Sequence, residues 1–173
     1  MGQFPSKAES FMKTINLNTD NLGGLLHLYA IPPTSFHRIR KDYVNNLNFL
    51  ELVRRDDVID IPVLSNDTYI YNEEKNTGDV GDYWNITIEG VIPRLSLDNH
   101  SVIEELERGL WYVVAQDSNG EVHFCGQEDA LLIFTNSKTS GQSASSRNGT
   151  SFSFACIQDE PSIFLFDFEE KTL

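Results

Sequence analysis

The chain has 173 residues, 40% apolar and 23% charged, the make-up of one ordinary folded domain and not of a disordered chain. Its 13 basic and 26 acidic side chains give −13, unevenly shared: residues 1–97 carry 9 basic and 13 acidic groups, residues 98–173 carry 4 and 13. That balance excludes a protein that grips nucleic-acid phosphates over its whole surface, and no apolar run reaches the length of a membrane span.

Residues 1–20 read as a polar N-terminal arm, anchored only by Phe4, Phe11, Met12, Ile15 and Leu17. The opening Met1-Gly2-Gln3-Phe4-Pro5-Ser6 fits a myristoylation pattern in form, but Pro5 suits it badly. Nothing there reads as a secretory signal, so manufacture inside the cell is expected. Residues 21–173 read as a single β-rich domain. Residues 23–31 form a strand that Pro32-Pro33 ends. Residues 34–60 suit a helix or an irregular insertion, with Phe36, Ile39, Tyr43, Leu47 and Leu50 as the apolar positions. Residues 58–64 resemble an edge strand, because Pro62 cannot donate to a ladder. Another strand begins at residues 68–71, and the Asn, Glu, Gly and Asp of residues 72–82 read as a loop. In residues 83–93, Trp84, Ile86 and Ile88 alternate with Tyr83, Asn85, Thr87 and Glu89, the pattern of a half-buried antiparallel strand.

A helix follows, capped by Asp98 or Asn99, with Val102, Ile103, Leu106 and Leu110 on its buried face and Gly109 at its end. Residues 110–115 and 121–125 then form a hairpin around Asp117-Ser118-Asn119-Gly120, where Asn-Gly supplies positive φ. Residues 130–134 suit a strand covered on both sides. Residues 135–149 hold no large apolar side chain and read as a long exposed loop. Phe152, Phe154 and Cys156 point one way along a further strand, and residues 163–168 close the chain with a last one. The expected fold is mainly β: an antiparallel β-sandwich or barrel with one packed α-helix, and loop insertions near 34–60, 72–82 and 135–149.

Chemistry is harder to find. Cys125 and Cys156 lie in separate apolar runs without CxxC spacing, which favours buried free thiols over a disulfide. His27, His37, His100 and His123 are far apart, and none has a partner at metal-ligand spacing. The acidic pairs Asp56-Asp57, Glu73-Glu74, Glu104-Glu105 and Glu169-Glu170 are adjacent residues, whose carboxylates point apart. No GxSxG, P-loop or GxGxxG occurs, and Ser140-Gly141-Gln142-Ser143 is too generic to mark a nucleophile. Four Asn-x-Ser/Thr sequons, at Asn66, Asn85, Asn99 and Asn148, match what 14 asparagines give by chance. The local basic groups, Arg38-Ile39-Arg40-Lys41 and Arg54-Arg55, could touch phosphates, but salt links to a neighbouring acidic subunit suit them better. The expectation is therefore no enzyme, no catalytic, metal or cofactor site, and no membrane partner.

Two groups of segments resemble structural proteins of tailed bacteriophages infecting Bacteroides-type hosts, especially those of tail tubes and neck rings. One is Asn21-Leu22-Gly23-Gly24 leading to Leu28-Tyr29-Ala30-Ile31-Pro32. The other is Gly81-Asp82-Tyr83-Trp84, the helix, the hairpin at Asp117-Ser118-Asn119-Gly120, Gly126, and Arg147-Asn148-Gly149-Thr150-Ser151-Phe152-Ser153-Phe154. The resemblance implies two packed antiparallel sheets flanked by a helix, and subunits joined into a ring by β-edges and by the loops at 72–82 and 135–149. It further implies a homo-oligomer of six-fold order or a multiple, contacts with neighbouring tail or neck proteins, and DNA as non-specific passing cargo. The location would be the virion, assembled in the host bacterial cytoplasm. A different class of function, a β-sandwich module binding a surface or carbohydrate, would need Trp84, Trp111 and Tyr112 as an exposed aromatic platform. The phase of Trp84 with Ile86 and Ile88 favours burial instead.

Overall fold

A computed structural model describes residues 23–63, 69–93, 95–140 and 149–170; the expected arm at 1–20 lies outside them. In chain order the elements are β1 (Leu25–Ile31), β2 (Phe36–Asp42), β3 (Leu47–Leu52), β4 (Ile59–Pro62), β5 (Ile70–Gly78), β6 (Gly81–Pro93) and α1 (Leu97–Arg108). Then come β7 (Leu110–Asp117), β8 (Val122–Cys125), β9 (Leu132–Thr139), β10 (Gly149–Gln158), β11 (Ile163–Leu165) and β12 (Asp167–Glu170). The fold is mainly β, with antiparallel sheets packed as a sandwich and one helix, as the sequence predicts.

β7 organises the whole. Its residues Trp111 to Ala115 are all buried, so this strand is covered on both faces and sits in the middle layer of three. A central antiparallel sheet runs β4–β1–β7–β8–β11. At its start β7 leaves that sheet, pairing Leu110 with Ile133 and Trp111 with Leu132, and so joins an outer sheet β9–β10–β6–β5. Alternation along β7 then assigns the two cores. Trp111, Val113 and Ala115 face the outer sheet and meet Ile86, Ile88, Leu132, Phe134, Phe152 and Phe154. Tyr112 and Val114 face the other way, onto Leu50 and Leu52 of a small third sheet, β2–β3–β12, whose β3–β12 pair is parallel.

That third sheet replaces the helix or irregular insertion expected at 34–60. Two short strands reverse at a turn where Asn46 takes φ 55° and the Asp42 carboxylate accepts from Val44 N at 2.9 Å. Tyr43, expected on an apolar face, is 84% exposed at this turn.

Two further differences share one cause: a polar stretch need not be a loop. Residues 72–82 fall within the β5–β6 hairpin, which turns tightly between Gly78 and Gly81. Lys75 Nζ lies 2.6 Å from Asp82 Oδ2 and Thr77 Oγ1 donates to Asp82 Oδ1 at 2.8 Å, ties that hold the hairpin beyond the core. Likewise β9 continues to Thr139 and β10 begins at Gly149; of the loop expected at 135–149, residues 141–148 lie outside the described residues. Residues 130–134 are not covered on both sides, since Ile133 is 56% exposed. The single closing strand is two: β11 pairs with β8, and β12 with β3 after Phe166 N donates to Asn48 O at 2.8 Å.

The helix sits over one end of the first core and buries Ile103 and Leu106. Its cap is Ser96, not Asp98 or Asn99; Ser96 Oγ accepts from Asn99 N at 3.2 Å. Val102 and Leu110 are exposed, so the buried face is narrower than expected. Gly109 ends the helix at φ −105°, an ordinary conformation. Its lack of a side chain serves a close approach instead, because a Cβ there would lie 2.7 Å from the Trp111 indole, which donates Nε1–H to Leu106 O at 2.9 Å.

Candidate functional site

The outer sheet has one face on the core and one unpaired. On that second face the register sets Leu110, Ile133, Ala155, Thr87 and Asn72 side by side across the strands. Flanking rows are Ile157–Asn85–Glu74 on one side and Thr135–Ser153–Glu89–Ile70 on the other. Ile70, Ile133 and Ile157 are each more than half exposed. Two open depressions of about 490 and 610 Å³ lie between these rows. Among the described residues, strand alternation brings to this face the carboxylates Glu74 and Glu89 and no cation. Asn85 Oδ1 is enclosed there without a hydrogen-bond partner among the described residues. The face ends at β5, nine residues long and, among the described residues, paired on one side only, to β6.

A half-buried polar cluster joins β5 to the link between β10 and β11. The Glu73 carboxylate accepts from the Tyr71 hydroxyl, from Ser162 Oγ at 2.5 Å and from Ser162 N at 3.3 Å. Burial, with the charge of Glu73 nearby, pushes the Tyr71 phenol far above its ordinary range. The His123 ring stacks on Tyr71 at 4.6 Å and packs against Phe164 at 4.7 Å. Its Nδ1 is enclosed without a partner among the described residues, and Nε2 is 3.9 Å from Asp117 Oδ2. Ser162 is thus bound to a carboxylate, and among the described residues no Ser–His hydrogen bond activates it. The arrangement fits a tie between sheets. Sequence reasoning missed it because Glu73 and Ser162 are 89 positions apart and neither belongs to a motif.

The basic groups are placed differently from the expectation. Glu51, wholly buried on β3, takes Arg38 Nε at 2.8 Å and Arg40 Nε at 2.9 Å, so two of the three cations of that patch serve their own chain. Arg40 also lies over the Phe49 ring and Lys41 over Tyr43. Arg54 is exposed. The four histidines stay dispersed: His27 stacks on Tyr29, His37 is exposed, and His100 Nε2 lies 3.3 Å from Glu104 on its own helix. Among the described residues no group of three or more His, Cys, Asp or Glu could hold a metal ion.

Both cysteines are free, Cys125 buried and Cys156 half-buried. Burial holds the Cys125 thiol well above its ordinary value and pushes that of Cys156 up to about 11, so both are protonated at neutral pH. The aromatic platform is not formed. Trp111 and Tyr112 are buried on opposite faces of β7, and Trp84 is half-buried beneath Lys75, whose Nζ is 5.3 Å from its ring centre. Among the described residues no helix is long and apolar enough to cross a membrane.

No family model, curated protein or solved structure matches this chain.

Proposed function

We propose that the chain is a non-catalytic structural subunit that packs against copies of itself, in a ring of the tail or neck of a tailed bacteriophage. The outer face of the outer sheet carries this reading. It offers three exposed isoleucines among Ala, Ser, Thr and Asn side chains, with two carboxylates and, among the described residues, no cation. Burying the three isoleucines is favourable, and the lack of cations on the face resembles the charge-poor centre of a subunit interface. A closed ring needs a face that meets a different surface on the next copy, and the one-sided strands β5 and β4 supply free edges for that contact.

The phage resemblance implies two packed antiparallel sheets flanked by a helix; the central and outer sheets with α1 are consistent with that, and the small sheet with its parallel β3–β12 pair is an addition to it. The chain's −13 charge, with Arg38 and Arg40 committed to Glu51, leaves little to hold a phosphate backbone. DNA in this reading is cargo that passes without being gripped, neighbouring tail or neck proteins are the other partners, and the working location is the virion.

Replacing Ile133 and Ile157 together by lysine tests the reading. Both side chains are exposed, so the double variant keeps its fold and melts near the parent. The expected result is loss of self-association measured by light scattering. An unchanged assembled mass in a folded double variant would rule out this face as the contact.

A further inference from the structure

On the opposite side of the molecule, the second core opens between the central sheet and the small sheet. The opening is a cleft of about 250 Å³, near the Gln127–Ala130 bridge. Its floor is aromatic. Phe36 packs against Tyr112 with ring centres 4.4 Å apart, and Tyr112 stacks on Phe124 at 5.3 Å. Its rim is acidic: Glu128 and Glu160 line the mouth, and the exposed carboxylates Asp129 and Asp159 stand next to them in the chain. Among the described residues neither Glu128 nor Glu160 is ion-paired.

Two further observations make this a built site. Tyr112 is 96% buried (4% exposed) and lines the cleft, yet its hydroxyl has no hydrogen-bond partner among the described residues. Unlike Asn85 Oδ1 and His123 Nδ1, this hydroxyl is not an enclosed atom, so it is open to whatever enters the cleft. Burial holds this phenol above its usual pKa and the Glu128 charge adds to the effect, which places that carboxylate within electrostatic reach of the hydroxyl. The wall is also fixed in position. Gln158 is buried, accepts from Gly126 N at 3.1 Å and donates to the Glu160 carbonyl at 2.7 Å, so the rim segment is pinned to the end of β8.

An aromatic well with unneutralised carboxylates at its mouth selects a cation and repels phosphates and carboxylates. The volume is below the roughly 300–1,000 Å³ of sites for drug-sized ligands, and suits a single side chain. Arginine fits better than lysine, because a planar guanidinium can stack on a ring and still offer paired N–H groups to a carboxylate. We propose that this cleft binds one arginine side chain presented by a partner polypeptide, its stem in the aromatic well and its guanidinium between Glu128 and Glu160. The site goes beyond the ring reading and does not rest on it, since the central sheet separates the cleft from the outer sheet.

The test is a titration of the full chain, followed by ¹H–¹⁵N NMR, with the capped peptide Gly-Gly-Arg-Gly-Gly, its citrulline counterpart and free agmatine. The expected result is saturable shifts confined to the amides of residues 126–129 and 158–160, caused by the arginine peptide and not by the citrulline one. Glu128→Gln with Glu160→Gln should weaken that binding by about tenfold or more, while melting stays that of the parent because both residues are exposed. Equal binding of the citrulline peptide, no effect of the double variant, or no saturable shift would overturn the proposal. Agmatine binding as tightly as the peptide would overturn the polypeptide as source and make the ligand a small free amine.

Discussion

His123 shows how a side chain's surroundings become a property of the whole molecule. Burial holds its imidazole below the ordinary pKa of 6.5, against the opposing pull of Asp117, Glu73 and Glu121. The unfolded chain takes up a proton that the folded protein refuses. Stability from this site is therefore complete above about pH 6.5 and is lost as pH falls from there through the lowered folded value. His123→Phe keeps a ring between Tyr71 and Phe164 and removes the enclosed, unpartnered Nδ1. Denaturant melts of that variant should show a shallower loss of stability between about pH 6.5 and 5 than the parent. Equal slopes would place the titration elsewhere.

At the scale of elements, α1 and the hairpin after it separate local from tertiary causes. Leu106 is wholly buried in the first core, so Leu106→Ala should cost about 2–5 kcal/mol by chemical denaturation. Val102 on the same helix is 39% exposed, and its change to alanine should cost about 1 kcal/mol or less. Comparable losses at the two sites would mean that the helix is not seated as described. In the hairpin, Gly120 alone of the Asn-Gly pair takes positive φ, at 90°, while the Asp117 carboxylate accepts from Asn119 N and Glu121 N, both at 2.9 Å. A Cβ at Gly120 meets nothing within 4 Å, so Gly120→Val strains the backbone without a clash. It should lower stability by about 1–2 kcal/mol, and a wild-type melt would contradict the turn.

The helix and hairpin were legible because their signals are local: a cap, a periodic apolar face, a turn dipeptide. The cap itself fell at Ser96 because Asp98 and Asn99 are equally good cap residues and composition alone does not choose. The stretch 72–82 of the β5–β6 hairpin and the small sheet were not legible for a different reason. Asn72, Glu74 and Asn76 on one face of β5 have the composition of a loop, and only pairing tells the two apart. The Tyr71–Glu73–Ser162 cluster and the Arg38–Glu51–Arg40 clamp arise from contacts across strands, to which no spacing in the sequence points.

Across the whole molecule, the middle sheet is spent on two cores, and what remains for other molecules is peripheral. One side presents the flat outer sheet with its isoleucines, the other the acid-rimmed aromatic cleft. As proposed, the first serves self-assembly and the second captures a basic side chain, so the two can be broken independently. Self-assembly shows most plainly in the mass of the purified chain at micromolar concentration, by native mass spectrometry with negative-stain imaging. Self-assembly into closed rings of roughly six copies, or a multiple, of the 19.6 kDa chain is expected. A lone 19.6 kDa species that stays monomeric as concentration rises would contradict it.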